Sequence, residues 1–131
     1  MKGLSIGELA RESGLKPDTL RYYERIGLLP RVARDAGGRR RYQEADCSRL
    51  RFILRARAMD FSLEEIAALL QMREEPQRAR AEVRALTRRK LEQVERRLES
   101  LDLLRRELQL LLSLCRASEE GCPIIEQLED Q

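Results

Sequence analysis

Histidine is absent from these 131 residues. That removes the commonest catalytic base and the commonest zinc ligand together. Aromatics are scarce as well: three Tyr, two Phe and no Trp stand beside 37% charged residues. Such a mixture is lean for a globular core and suits long helices rich in Leu, Arg and Glu. No run of about 18 apolar residues occurs, so no membrane span is expected. The start, MKGLSIGELARES, lacks the apolar stretch of a secretory signal. In the reducing, cytoplasmic setting this implies, the three cysteines point to ligation or burial rather than a structural disulfide. An enzyme is not expected, because there is no Gly-rich phosphate loop and no nucleophile-plus-base constellation. Cys122 beside Pro123 invites a catalytic-thiol reading, yet no charge partner for it is visible in the sequence.

What is present is unevenly spread. Residues 1–60 carry 14 Lys/Arg against 8 Asp/Glu, whereas residues 61–131 carry 12 against 15. A basic first half joined to a mildly acidic remainder fits nucleic-acid contact at one end. Within the basic half, Thr19-Leu20-Arg21-Tyr22-Tyr23-Glu24-Arg25-Ile26-Gly27-Leu28-Leu29 sets two of the five aromatics side by side on a basic helix. Aromatics placed so fit contact with phosphates and base edges. Ser5-Ile6-Gly7-Glu8 has capping-box spacing for a preceding helix that Gly14 ends. Pro17 and Asp18 suit the first turn of the second helix, which spans about 17–26. Two short helices around a glycine-containing turn make a helix-turn-helix, whose second helix enters the major groove.

Gly37-Gly38 then signals a hairpin, with Arg39-Arg40-Arg41-Tyr42 as its returning strand. A hairpin beside a helix-turn-helix is a wing, and its arginines can grip phosphates. A third helix over about 44–59 has Cys47, Leu50, Ile53, Leu54 and Ala58 near helical spacing, with Cys47 as a small core residue. Ser62-Leu63-Glu64-Glu65 is a second capping box opening a fourth helix, and Glu75-Pro76 interrupts the pattern. From about 79 to 114 there is neither Gly nor Pro. Val83, Leu86, Leu91, Val94, Leu98, Leu101, Leu104, Leu108, Leu111 and Cys115 fall mostly three or four apart, a coiled-coil-like seam. Such a stripe needs a partner, and a second copy is the obvious one. Periodicity leaves the direction, parallel or antiparallel, open.

The order of these parts resembles the MerR family of transcription regulators over essentially the whole chain. The carriers are Arg21-Tyr22-Tyr23-Glu24-Arg25-Ile26-Gly27-Leu28-Leu29, a wing, Ser62-Leu63-Glu64-Glu65-Ile66 and a long helix. The tail from Cys115 to Glu126 resembles the metal loop of the copper-efflux and heavy-metal branches. The resemblance implies an all-α fold with a small β-hairpin wing. A winged helix-turn-helix domain (1–75) would be followed by a long dimerisation helix (76–114). An effector loop with a short helix (115–131) would end the chain. It further implies a homodimer on an antiparallel coiled coil, seated on a palindrome of double-stranded DNA inside an over-long promoter spacer. Inducer binding would bend and untwist that DNA for RNA polymerase, in the cytoplasm at the bacterial nucleoid. By the same resemblance Lys16, Thr19, Arg21, Tyr22 and Tyr23, with Arg34, Gly38, Arg39, Arg40 and Tyr42 of the wing, would contact DNA. Arg39 stands where the family more often has an aromatic, making this wing unusually basic and its binding steeply salt-dependent.

Cys115 and Cys122 are the candidate metal ligands, with Gly121 and Pro123 shaping the turn and Ile124, Ile125 and Leu128 expected to cover it. Two thiolates without histidine favour a low-coordinate soft ion, Cu(I), Ag(I), Au(I) or Hg(II), whereas tetrahedral zinc needs four ligands. Where metal-sensing relatives carry Cys or Ser, this chain has Arg80. That argues against three-thiolate Pb(II), Cd(II) or Hg(II) sensing and against the zinc subtype, leaving Cu(I), Ag(I) or Au(I) as the leading inducer. A bis-thiolate centre holding a monovalent ion carries a net negative charge, which Arg80 or Arg84 of the partner chain would neutralise. The alternatives are a regulator of this kind that responds to a thiol, redox or other ligand, or an effector-independent architectural DNA-binding dimer.

Overall fold

In the computed structural model, which describes residues 2–117 and 119–129, Ser5 opens the first helix, α1 (Ile6–Ser13). Side chains at 76, 78 and 79 are outside the description. Positions 118, 130 and 131 of the expected effector segment likewise lie outside the described residues. The capping box forms as its spacing requires. The Glu8 N–H donates to Ser5 Oγ at 3.1 Å, and the Ser5 N–H donates to Glu8 Oε1 at 3.2 Å. Gly14, at φ +75°, closes the helix in the left-handed region. α2 (Pro17–Arg25) follows, with proline in its first turn.

Beyond α2 the chain runs through buried Leu28, Leu29 and Val32 into the wing. There the Asp35 N–H donates to Arg39 O and the Arg41 N–H to Ala33 O, at 2.9 and 2.8 Å. The wing is slighter than a full hairpin, because its pairing consists of isolated bridges, Arg34 with Arg40 and Leu4 with Tyr42. The second bridge ties the returning leg to the segment before α1. α3 (Glu44–Ala58) and α4 (Leu63–Glu74) complete the basic half, and Ser62 caps α4 with a second capping box. On α3 the buried positions are Cys47, Leu50, Ile53 and Ala56. The expected Ala58 is exposed and Leu54 only half-buried. The helix stops at Ala58, and the Phe61 N–H returns to Ala56 O at 3.1 Å, with Ala56 and Phe61 both buried.

The long helix, α5 (Pro76–Ala117), continues three residues beyond the expected end. α6 (Pro123–Glu129) ends the chain's described part. The molecule divides into two compact units, residues 1–86 and 87–131. The core belongs to the first, where Leu20, Leu50, Ile53, Ile66 and Leu70 are almost fully buried and Leu86 joins them. Burying each such side chain stabilises the unit by about 1.5–3 kcal/mol. In the second unit the α5 leucines 91, 98, 101, 104 and 108 are all exposed, between 49% and 60%. No helix is long and apolar enough to cross a membrane among the described residues.

Candidate DNA-reading face and cysteine loop

Neighbouring residues on a helix point about 100° apart, so Tyr22 and Tyr23 cannot share one surface. Tyr22 is exposed, with the Arg25 guanidinium 5.3 Å from its ring centroid. Tyr23 lies three residues after Leu20 and shares its inward face; it is only 5% exposed. Tyr23, expected at the DNA, thus has its ring in the core, with its centroid 6.3 Å from that of Tyr22. Lys16 is exposed before the first turn of α2, Thr19 is half-buried, and Arg21 is exposed with Nη1 2.8 Å from Asp18. An exposed pair of this kind is weak.

The wing is organised by a carboxylate that the sequence reading missed. Asp35 Oδ1 accepts the N–H groups of Gly37 and Arg39 at 2.9 and 3.0 Å, and Oδ2 accepts Arg41 Nε at 3.3 Å. The Arg39 N–H chiefly holds this carboxyl below the usual range, against the opposing effect of burial and with help from Gly37 and Arg41. Gly38, at φ +79°, makes the turn, and Arg34 Nη1 donates to its carbonyl at 2.9 Å. Arg39 remains 79% exposed at the tip. An Asp two positions ahead of Gly-Gly, as in Asp35-Ala36-Gly37-Gly38, is the signal for this turn.

Two further wing residues depart from expectation. Tyr42 is 1% exposed, buried beside its bridge to Leu4, so it too is core rather than a groove contact. Among the described residues its hydroxyl is buried with no hydrogen-bond partner, and burial pushes the phenol's pKa up, only partly offset by Arg40. Arg40 is turned inward: its Nε donates to Glu24 Oε2 at 2.7 Å, and the two side chains are 22% and 12% exposed. Glu24 Oε1 also accepts the Val32 N–H at 3.2 Å. Burial pushes the Glu24 carboxyl up, but the hydrogen bonds from Arg40 and Val32 outweigh it and the pKa falls below the ordinary value.

At the other candidate site, Cys115 lies inside the last turn of α5 and is exposed, while Cys122 immediately precedes α6 and is half-buried. The Cys122 carbonyl accepts the Glu126 N–H at 3.0 Å, fixing the entry into α6. Gly121 makes the preceding corner at φ +73°, and a Cβ there would meet Glu126 Oε1 at 2.8 Å. Both thiols are free, as is Cys47, which is buried and whose pKa is raised chiefly by that burial. Among the described residues no three of His, Cys, Asp and Glu gather as a metal cluster. The expected apolar cover is incomplete within one chain: Ile124 is half-buried, but Ile125 and Leu128 are 55% and 69% exposed because short α6 turns them to solvent. Arg80 and Arg84 belong to the first unit and are exposed. With Phe52, Leu69, Met72 and Val83 they line a shallow apolar hollow of about 430 Å³.

Comparison with known proteins agrees with this layout. The family model of the MerR HTH family regulatory protein matches residues 4–73, and that of MerR, DNA binding, matches residues 47–111. The HTH-type transcriptional regulator HmrR of Rhizobium leguminosarum bv. viciae is 41% identical over 128 residues, covering 97% of this chain and 98% of its own. The solved structure of the transcription regulator PbrR691 from Ralstonia metallidurans CH34, in complex with lead(II), is similar with a TM-score of 0.79 and 40% identity. It covers 95% of this chain and 98% of that one. The dual-function regulator MerR from Bacillus megaterium MB1, in complex with mercury(II), is similar with a TM-score of 0.68 and 33% identity, covering 96% and 99%.

Proposed function

Since this chain belongs to the MerR family of helix-turn-helix transcription regulators, we propose that it switches a promoter in response to a soft metal ion at Cys115 and Cys122. The observation that carries this reading is the pair of free cysteines on either side of a tight loop, one in the last turn of the seam helix and one at the start of α6. Relatives bound to lead(II) and mercury(II) support a thiophilic ion in general. The monovalent choice, Cu(I), Ag(I) or Au(I), rests on this chain's own residues: two thiols, no histidine, and Arg80 on α5. Such an ion, when bound, supplies a cross-link between the end of α5 and the start of α6. Gly121 sets the approach of the two thiols, and Arg80 or Arg84 of a second copy offsets the negative charge they carry.

DNA is held by two copies paired antiparallel through the exposed α5 leucines. Each presents Lys16, Thr19, Arg21 and Tyr22 to a major groove of a promoter palindrome, and Arg34, Gly38 and Arg39 to the flanking phosphates. A change in how the two long helices meet then alters the DNA between the half-sites, and RNA polymerase reads the result. The direct test is titration of Cu(I), Ag(I), Au(I), Hg(II), Cd(II), Pb(II) and Zn(II) into the reduced protein, with Cys115→Ser and Cys122→Ser beside it. A monovalent ion is expected to bind the native protein most tightly, and each serine variant is expected to lose it. Equal binding to native and variants for every ion would end the metal reading.

A further inference from the structure

The Glu24 carboxylate joins three pieces of backbone that are distant in sequence. It stands on α2, receives the Val32 N–H from the outgoing leg of the wing, and receives Arg40 Nε from the returning leg. Both oxygens are used, one for each leg. Glu24 and Arg40 are half-buried, which limits solvent's competition for either bond. Arg40 was expected to grip phosphate, and its placement gives it a different job. We infer that Glu24 and Arg40 are positioning residues that lock the wing at a fixed angle to α2, so that groove-reading side chains and wing phosphate contacts engage one register of DNA together.

The chemistry supports a brace over the two simpler roles. Arg39, the wing arginine placed to grip phosphate, has a side chain that is 79% exposed; that of Arg40 is 22% exposed and its Nε is taken by Glu24. A merely stabilising ion pair has no reason to bond both legs of the wing from one helix, whereas Glu24 does so with opposite oxygens. A carboxylate beside a DNA-contacting helix also repels phosphate, so its presence there calls for a compensating function.

Charge and geometry give opposite signs, which makes the inference testable. The inference rests on α2 and the wing both touching DNA. Capture of one palindromic duplex by the native protein from a randomised pool reports on that reading separately. Affinity is then measured on the captured duplex and on a scrambled duplex, across a salt series. Glu24→Gln removes one negative charge per protomer, so electrostatics alone makes both duplexes bind more tightly. The brace makes the captured duplex bind about tenfold more weakly while the scrambled one is held as well or better. Arg40→Gln is expected to lose the captured duplex similarly with an unchanged salt slope. Arg39→Gln, a loss of two phosphate contacts per dimer, lowers that slope by about 1.8.

The double variant Glu24→Gln/Arg40→Gln is expected to lose about as much as either single change, because one device has been removed once. Scrambled-duplex binding doubles as the folding control. Arg40→Lys, which keeps a cation beside Glu24, is expected to retain most of the discrimination. Three results overturn the inference: Glu24→Gln binding the captured duplex as tightly as the native protein, Arg40→Gln lowering the salt slope as Arg39→Gln does, or losses that multiply in the double variant.

Discussion

Tyr22 and Tyr23 show how a residue-scale reading succeeds and fails. Their setting on a basic helix was legible, and so was the class of partner. Their division of labour follows from helix geometry: Tyr23 repeats the inward phase of Leu20, and Tyr22 does not. Tyr42 was misjudged for another reason, since its burial depends on a bridge to Leu4, a partner nearly forty positions away that no local pattern announces. The cysteines separate by environment in a way that chemistry can check. With Cys47 buried and its thiol held protonated, Ellman's reagent is expected to modify Cys115 and Cys122 quickly in the native protein. The third thiol should react only on unfolding. Glu24 gives a pH dependence of known sign. Its folded pKa lies below an ordinary glutamate's 4.5, so its contribution is present above that pH and is lost as pH falls through the folded value. The gap in thermal midpoint between native protein and Glu24→Gln is therefore expected to be widest near neutrality and to close in acid.

Helix starts were the most legible elements, because a capping box is written in four consecutive residues. Both Ser5 and Ser62 form the bonds that their spacing announces. Ser62→Ala is expected to cost about 1 kcal/mol, measured by chemical denaturation. Helix ends were harder to read. α5 runs to Ala117 because Cys115, Arg116 and Ala117 are all acceptable helix residues, and nothing there breaks it. That extension places Cys115 on the helix rather than in a loop. The corner that follows depends on Gly121. Gly121→Ala forces a Cβ into the left-handed region, a strain of about 1–2 kcal/mol, and crowds Glu126. Metal affinity in that variant is expected to fall severalfold while α1–α4 keep their stability.

At the scale of the whole molecule, the exposed leucines of α5 are the clearest sign of a second chain. Leu98 and Leu101 are each 60% exposed and Leu108 is 51% exposed, all on one stripe of a single protomer. Leu101→Arg is expected to give a monomer by light scattering and to abolish tight binding to a palindrome. Arg80→Ala is expected to shift the metal dose response without altering DNA occupancy in the metal-free state. The fold and the DNA-binding role were legible because periodicity and short motifs carry them. The wing's internal brace was not, because it is assembled from residues 24, 32 and 40 only after folding. The central claim, that metal at the cysteine pair controls promoter output, is tested most directly by transcription in a purified system. The template carries the captured palindrome in its promoter spacer, and RNA polymerase is added with native protein or with Cys115→Ser/Cys122→Ser. The expected result is that a soft monovalent ion raises transcript severalfold with the native protein, while the double variant occupies the same DNA and does not respond. Equal induction by both proteins, or none by the native protein with any of the seven ions, would contradict it.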